Sequence, residues 1–484
     1  VLDGKTSASP YTLFAIFLGA ACGLGVLLPF YLGVAGDGVV AIAAVPLLLI
    51  GIAAFAASRK TLLILILLTR SALDIVLEAT RTAGSGQGAG LGALINLCII
   101  LLAFALVFEK PAAFPRKMAI AWLAFFAAAI HGILLSPEKA DAIRFYLTWL
   151  SNFAVFISAF YLVRESADFR YCALLVVLSS ILPALYGLYE TGANLGLLSG
   201  GYRIKSTFTH ANIFAFYLML VQFIGFYYLK SGTVRMPVML RMALGAYLLL
   251  LFGLLMLTQT RSAWIAVVVV FACYAAVFER RYLIYLGLAF VASFFIPVVQ
   301  ERLLDILSDS EVGPQVKLNS FAWRVALWES ALGWMDPGRY LLGYGLGAFR
   351  DNVLDFFPLS AGFKWDAHNV YVQWFFETGL LGVAAYLWLQ VRMLGYSFQL
   401  RKVDRLAAFF ITATVVSYLM VSFSDNMMFY LVVNWYYWFL IGAGCALLLR
   451  GAAKAAAEPR PAPQAKRPAP WSRPAGAAVR RSRQ

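Results

Sequence analysis

Apolar stretches recur along the chain with short polar breaks between them. Each is close to the 17 to 25 residues that a helix needs to cross a bilayer. The pattern predicts fourteen crossings. Seven fall at 11–34, 38–57, 61–80, 91–108, 118–135, 145–163 and 171–190, and four more near 211–229, 239–258, 262–278 and 282–299. Three follow at 369–391, 406–423 and 429–449. The segments 61–80 and 262–278 are short or interrupted, and without them twelve crossings remain. One long polar stretch breaks the series. The chain therefore divides into N-terminal membrane helices (1–299), a large loop (300–368), C-terminal membrane helices (369–449) and a polar tail (450–484).

The large loop has its own pattern. Phe321, Val325, Trp328, Leu332 and Met335 recur every three or four residues, one face of an amphipathic helix, with Trp323 and Trp334 close by. Tryptophan suits a water–lipid boundary, so this helix is expected to lie along the membrane surface. Gly343-Tyr344-Gly345-Leu346-Gly347 looks like a phosphate loop, but no strand precedes it; a tight turn that re-aims the chain is the expectation. The loop ends at Asp366-Ala367-His368-Asn369, which feeds into the next apolar helix.

Composition supports an all-α polytopic membrane protein: 62% of residues are hydrophobic and 13% charged, against about 25% charged in soluble domains. The net charge of +15 would suggest nucleic acid, but its distribution points to a membrane face. Basic residues fill alternate loops: Arg59-Lys60, Lys110/Arg116/Lys117, Arg164/Arg170, Lys230/Arg235/Arg241, Arg280-Arg281 and Arg392/Arg401/Lys402/Arg405. The tail adds eight Lys or Arg against one acid. These positions predict cytoplasmic termini and a disordered, lipid-facing tail. The 300–367 loop reverses the balance, with nine acids against six bases, and is expected outside the cytoplasm. So are 191–210 and the turn at Thr260-Arg261. All five cysteines lie within apolar segments, which suggests neither a disulfide framework nor a zinc site. The N-terminal stretch is not expected to be a cleaved signal.

The candidate chemistry lies in the outward segments. Tyr202-Arg203-Ile204-Lys205 leads through His210 and Asn212 into a helix; Arg261 sits in Thr258-Gln259-Thr260-Arg261-Ser262; Arg324 lies on the amphipathic helix; and Asp366 and Asn369 flank His368. An arginine at the lipid edge can simply anchor the interface. Several in one cavity would instead match phosphate oxygens with permanently charged forks. A histidine at a loop–helix junction can cap the helix or accept a proton near neutral pH. His368 is the candidate base, with Asp366 as the candidate to orient it. His210 is expected to be structural or to contact substrate. Arg70 and Asp74, four apart, read as an intramembrane ion pair. The acidic pair Asp309-Ser310-Glu311 stands isolated, so metal ligation is not expected.

These segments, in this order around one large loop, resemble the O-antigen ligase family and the wider superfamily that includes O-antigen polymerases. The resemblance covers about residues 60–450. It rests on Arg203…His210-x-Asn212, Thr-x-Thr-Arg261-Ser, Arg324…Trp328…Leu-Gly-x-Gly345 and His368-Asn369…Glu377-x-Gly379. It implies a GT-C-like inner-membrane glycosyltransferase with no cofactor or metal. Such an enzyme moves a glycan from undecaprenyl pyrophosphate to a sugar hydroxyl of lipid A–core at the periplasmic face, with inversion. By the same resemblance His368 matches the catalytic histidine, Arg261 and Arg324 the essential arginines, and Arg203 a further basic position. Lys205, His210, Asp366 and Asn369 would support them. A polymerase or a protein O-oligosaccharyltransferase of the same superfamily would differ in acceptor. A flippase for the same lipid-linked glycan would instead place its charges near the membrane midplane.

Overall fold

A computed structural model describes residues 58–82, 91–109, 114–198, 201–232, 236–293, 295 and 320–457. The predicted crossings 11–34 and 38–57, the acidic pair at 309–311 and the tail beyond 457 lie outside the described residues.

The described chain is helical. Its principal helices are α1 (Arg59–Arg70), α2 (Asp74–Thr82), α3 (Leu91–Glu109), α4 (Arg116–Leu135), α5 (Lys139–Leu162), α6 (Ser166–Ser179), α7 (Ile181–Ala193) and α8 (Ala211–Lys230). They continue as α9 (Val238–Leu257), α10 (Arg261–Val277), α11 (Arg281–Ser293), α12 (Ser320–Trp334), α13 (Ala348–Phe356), α14 (Val370–Gln399), α15 (Arg405–Val421) and α16 (Leu431–Ala457). Each apolar segment predicted from 61–80 onward corresponds to one helix or to a broken pair. Among the described helices, seven are long and apolar enough to cross a membrane, counting α6 and α7 as one. The protein is an all-helical polytopic membrane protein. The last helix runs to Ala457, past the predicted end at 449, because the Ala-rich stretch after Arg450 favours helix.

At the centre stands α16, packed along α5 and almost wholly enclosed. Its Trp435, Tyr436, Tyr437 and Trp438 are fully buried, and the Trp438 ring lies 4.5 Å from that of Trp122 on α4. Lipid is as apolar as these side chains, so they stabilise the bundle by close packing more than by leaving water. On the periphery, α3 and α9 expose Phe108, Met239 and Leu249, apolar surface suited to lipid.

The two ends of the bundle differ. One end carries basic residues in ion pairs: Arg59 with Glu109, Lys60 with Asp168, and Lys230 and Arg281 with Glu279. The other end collects the segments around 136–138, 201–210, 258–260, 320–369 and 422–430, which touch one another. The predicted intramembrane pair lies where α1 gives way to α2: Arg70 Nη1 is 3.2 Å from Asp74 Oδ1, and Arg70 stacks over Trp435.

The loop end is built into α14. Gly379 breaks this helix with φ 65° and ψ −169°. The break frees backbone groups that a buried site cannot leave unpaired. Residues 340–346 supply the partners: Leu380 N donates to Tyr340 O (2.8 Å), Tyr344 N to Phe376 O (3.0 Å) and Gly345 N to Glu377 O (2.8 Å). The Gly343–Gly347 stretch is therefore a strap laid into an opened helix, with positive φ at all three glycines. On α12, Leu327, Trp328 and Ala331, with Met335 just after it, pack against α13 and the start of α14, while Phe321, Leu332 and Trp334 stay exposed.

A Cβ at 379 would lie 2.3 Å from Leu341 O, in a backbone region that L residues rarely adopt. Gly379→Ala is therefore expected to destabilise the protein by about 2 kcal/mol or more. Thermal unfolding in detergent checks this; an unchanged midpoint would show that the strap does not need the break.

Candidate functional site

The site lies at the loop end, around the buried carboxylate of Asp425 in the turn between α15 and α16. Asn212 Nδ2 and the Tyr430 hydroxyl donate to its two oxygens. His368 Nδ1 stands 3.9 Å from Asp425 Oδ1, longer than a hydrogen bond. Arg324 donates from Nη1 to the neighbouring Ser424 carbonyl at 2.7 Å. Burial by itself would raise the Asp425 carboxyl. His368 and Tyr430 beside it, with the Arg324 charge, outweigh burial and hold it below the ordinary carboxylate value.

Arg203 enters from the other side. It donates Nε to Thr258 O at 2.8 Å and Nη2 to Thr260 Oγ1 at 3.0 Å, and also bonds Asn212 Oδ1. One chain of contacts thus runs from Arg203 through Asn212 to Asp425 and on to His368. Arg261 follows Thr260 directly and opens α10. Three helices, α8, α10 and α14, start at this network, with His210, Thr260 and Asn369 as their N-cap residues. Their N-terminal dipole ends add positive potential suited to an anion.

His368 has a left-handed backbone (φ 49°), costly for a residue with a Cβ. Its neighbours hold it there. Trp328 Nε1 donates to Ala367 O (2.6 Å), Ala367 N to Gln373 Oε1 (3.0 Å) and Val370 N to Ser422 O (2.9 Å). Asn369 Oδ1 caps α14 by accepting from Tyr371 N and Val372 N. With Nδ1 buried and facing Asp425, Nε2 is the ring nitrogen open to a ligand.

The remaining sequence candidates take different places. Asp366 accepts from Gln373 Nε2 at 3.2 Å, and the carboxylate facing His368 is Asp425 instead. His210 caps α8, its Nδ1 accepting from Asn212 N at 3.1 Å. Partial loss of hydration and then the Arg203 charge push its pKa below the usual histidine value, which favours the neutral, accepting ring. Lys205 is exposed. Its backbone N–H donates to Glu190, a buried carboxylate on α7 that also accepts from Ser206 N (2.6 Å) and the Tyr202 hydroxyl (2.8 Å). Glu190, Gln373, Asp425 and Tyr430 were not singled out in the sequence. Asp425 had a readable signal: Ser424-Asp425-Asn426 is a polar triplet between two crossings, at the end where the other candidates gather.

Residues 246–387 match the family model described as O-antigen ligase. This segment is O-antigen ligase family. The match supports a membrane glycosyltransferase of the ligase and polymerase superfamily. No individual curated protein matches the chain. The O-antigen ligase segment runs from α9 into α14 and carries Arg261, Arg324, Asp366, His368 and Asn369. Arg203, Lys205, His210 and Asp425 lie outside it, yet Arg203 and Asp425 join its residues in one network.

Two outcomes follow for this site. His210→Asn keeps a good cap and should leave fold and activity near wild type, whereas His210→Leu should cost about 1 kcal/mol of stability; thermal unfolding separates them, and equal losses would refute the capping role. A depressed carboxyl stabilises the fold above its unfolded value and loses that contribution as pH falls through the lower folded value. The stability deficit of Asp425→Asn should therefore stay constant between about pH 5 and pH 8 and shrink only below the ordinary value of 3.8. A deficit that fades already near neutrality would contradict this.

Proposed function

We propose that the protein is an O-antigen ligase that transfers a glycan from undecaprenyl pyrophosphate to a sugar hydroxyl of lipid A–core. One observation carries the reading: the segments bearing Arg203, Arg324 and His368, far apart in sequence, meet at the Asp425 turn at one end of the bundle. A base and a guanidinium group within one network fit glycosyl transfer from a pyrophosphate leaving group.

His368 Nε2 takes the proton of the acceptor hydroxyl, and Asp425 stabilises the imidazolium that forms. The freed oxygen pair bonds to the anomeric carbon as the bond to the pyrophosphate oxygen breaks. The leaving pyrophosphate carries that bond's electrons, and Arg261 and Arg324, with the three helix N-termini, stabilise its growing charge. Arg203, already engaged by Thr258, Thr260 and Asn212, holds the shape of the site and adds its charge to the donor pocket. Attack opposite the leaving group inverts the anomeric centre. The chemistry uses no metal, so EDTA should leave transfer intact.

In this reading the basic end faces the cytoplasm and the Asp425 end faces the periplasm, with the protein in the inner membrane. The charges of the site gather at the helix ends, which supports an enzyme over a flippase.

Reconstitution with the lipid-linked glycan and lipid A–core should yield ligated product. Product formed only on a second lipid-linked unit, or only on a protein, would move the reading to the polymerase or the oligosaccharyltransferase. His368→Ala should lower kcat by at least 10²-fold while donor binding persists. Arg324→Ala should weaken donor binding by about tenfold or more. Near-normal turnover without His368 would sink the base assignment, and retained donor affinity without Arg324 would remove it from the pyrophosphate.

A further inference from the structure

A cavity of about 680 Å³ opens beside the Asp425 network, between the start of α5, the strap, the loop before α14 and the first turns of α14. Neither His368 nor any of the candidate arginines lines it. Its size is that of a small-molecule site. Within its lining, Arg144 pairs with Asp141 (2.8 Å) and Lys364 with Asp351 (2.9 Å). Glu138 and Asp366 then stand against Arg350, with Glu377 buried and bonded by Gln373, so the cleft is mildly acidic where the Asp425 side is rich in guanidinium. The Phe145 and Phe429 rings, 5.0 Å apart, form an apolar wall.

Two of the lining side chains are built into the core. Gln373 and Glu377 are 3% and 1% exposed. Gln373 Nε2 donates to Asp366 (3.2 Å) and Glu377 (3.0 Å), while its Oε1 accepts from Ala367 N (3.0 Å) and Asn426 Nδ2 (2.6 Å). One amide therefore joins the cleft to the residue before His368 and to the residue after Asp425.

We propose that this cleft binds a neutral, hydroxyl-rich stretch of glycan and presents it to the His368 site. Carboxylates and amides accept from sugar hydroxyls, and aromatic rings cover the apolar faces of sugar rings. Glu138 and Asp366 disfavour pyrophosphate and acidic sugars. The proposal rests on the glycosyltransferase reading above and adds a subsite to it. The glycan belongs either to the acceptor or to the donor, and kinetics tell them apart.

The probes are neutral core oligosaccharide stripped of lipid and phosphate, the glycan released from the donor, and an acidic oligogalacturonide. Each is tested by saturation-transfer NMR on the full chain in nanodiscs. A neutral oligosaccharide should bind to wild type and to His368→Ala, and the acidic one should not. Thr148→Trp, which fills the cleft, should cut the signal at least fivefold; Asp366→Asn, which keeps its shape, should cut it severalfold. In the transfer assay Thr148→Trp should raise KM for one substrate at least tenfold and leave the other's unchanged. The affected substrate is the one whose glycan lies in the cleft.

No binding to wild type, equal binding of the acidic chain, or undiminished binding in both folded variants would overturn the cleft assignment. Binding that behaves as expected in a protein with no transfer activity would sink the ligase reading and leave the cleft standing.

Discussion

A buried carboxylate with no partner is costly, and Asp425 is 1% exposed. Everything around it answers that cost. Asn212 and Tyr430 hydrogen-bond its oxygens, Arg324 brings positive charge from a second segment, and the His368 ring faces it from a third. The same demand explains why sequence-distant residues meet. Removing any one partner leaves the carboxylate less well satisfied in a place water barely reaches, so the network is held together at the point where the chemistry is proposed.

Rigidity comes from the helices beneath. His368 occupies a strained backbone turn that would relax if its surroundings were loose. Bonds from Trp328, Gln373 and Ser422 to its neighbours prevent this. The broken helix α14 then ties the turn to the strap at 340–346, so loop and membrane helix form one body. The break at Gly379 is the price of bringing the loop down onto the helix: its opened backbone groups receive the strap's hydrogen bonds.

Much of this was legible in the sequence. Apolar length alone located the helices, because a lipid-spanning backbone must satisfy its own hydrogen bonds. Alternating basic loops foretold that the two ends of the bundle would differ. His368, Arg203 and Arg324 stood out because charge at a membrane edge needs a reason. Asp366 drew attention by its closeness in sequence to His368, yet helix geometry turns it toward Gln373. Asp425 is 57 residues from His368 and became its partner only through the packing of α14 against α15 and α16, a tertiary pairing that the polar triplet at 424–426 does not specify. The role of the three glycines at 343, 345 and 347 was equally hidden, since nothing local says that a turn will complete a helix broken 32 to 36 residues later.

The central claim is that Asp425 and His368 act as a unit in glycosyl transfer. A double-mutant cycle with His368→Gln and Asp425→Asn tests it most directly, read as kcat in the reconstituted reaction with lipid-linked donor and lipid A–core. The account predicts that the double variant is no slower than the slower single one, because once His368 is gone Asp425 has no imidazolium left to stabilise. Losses that multiply, each variant slowing the reaction as much in the other's presence as alone, would contradict it.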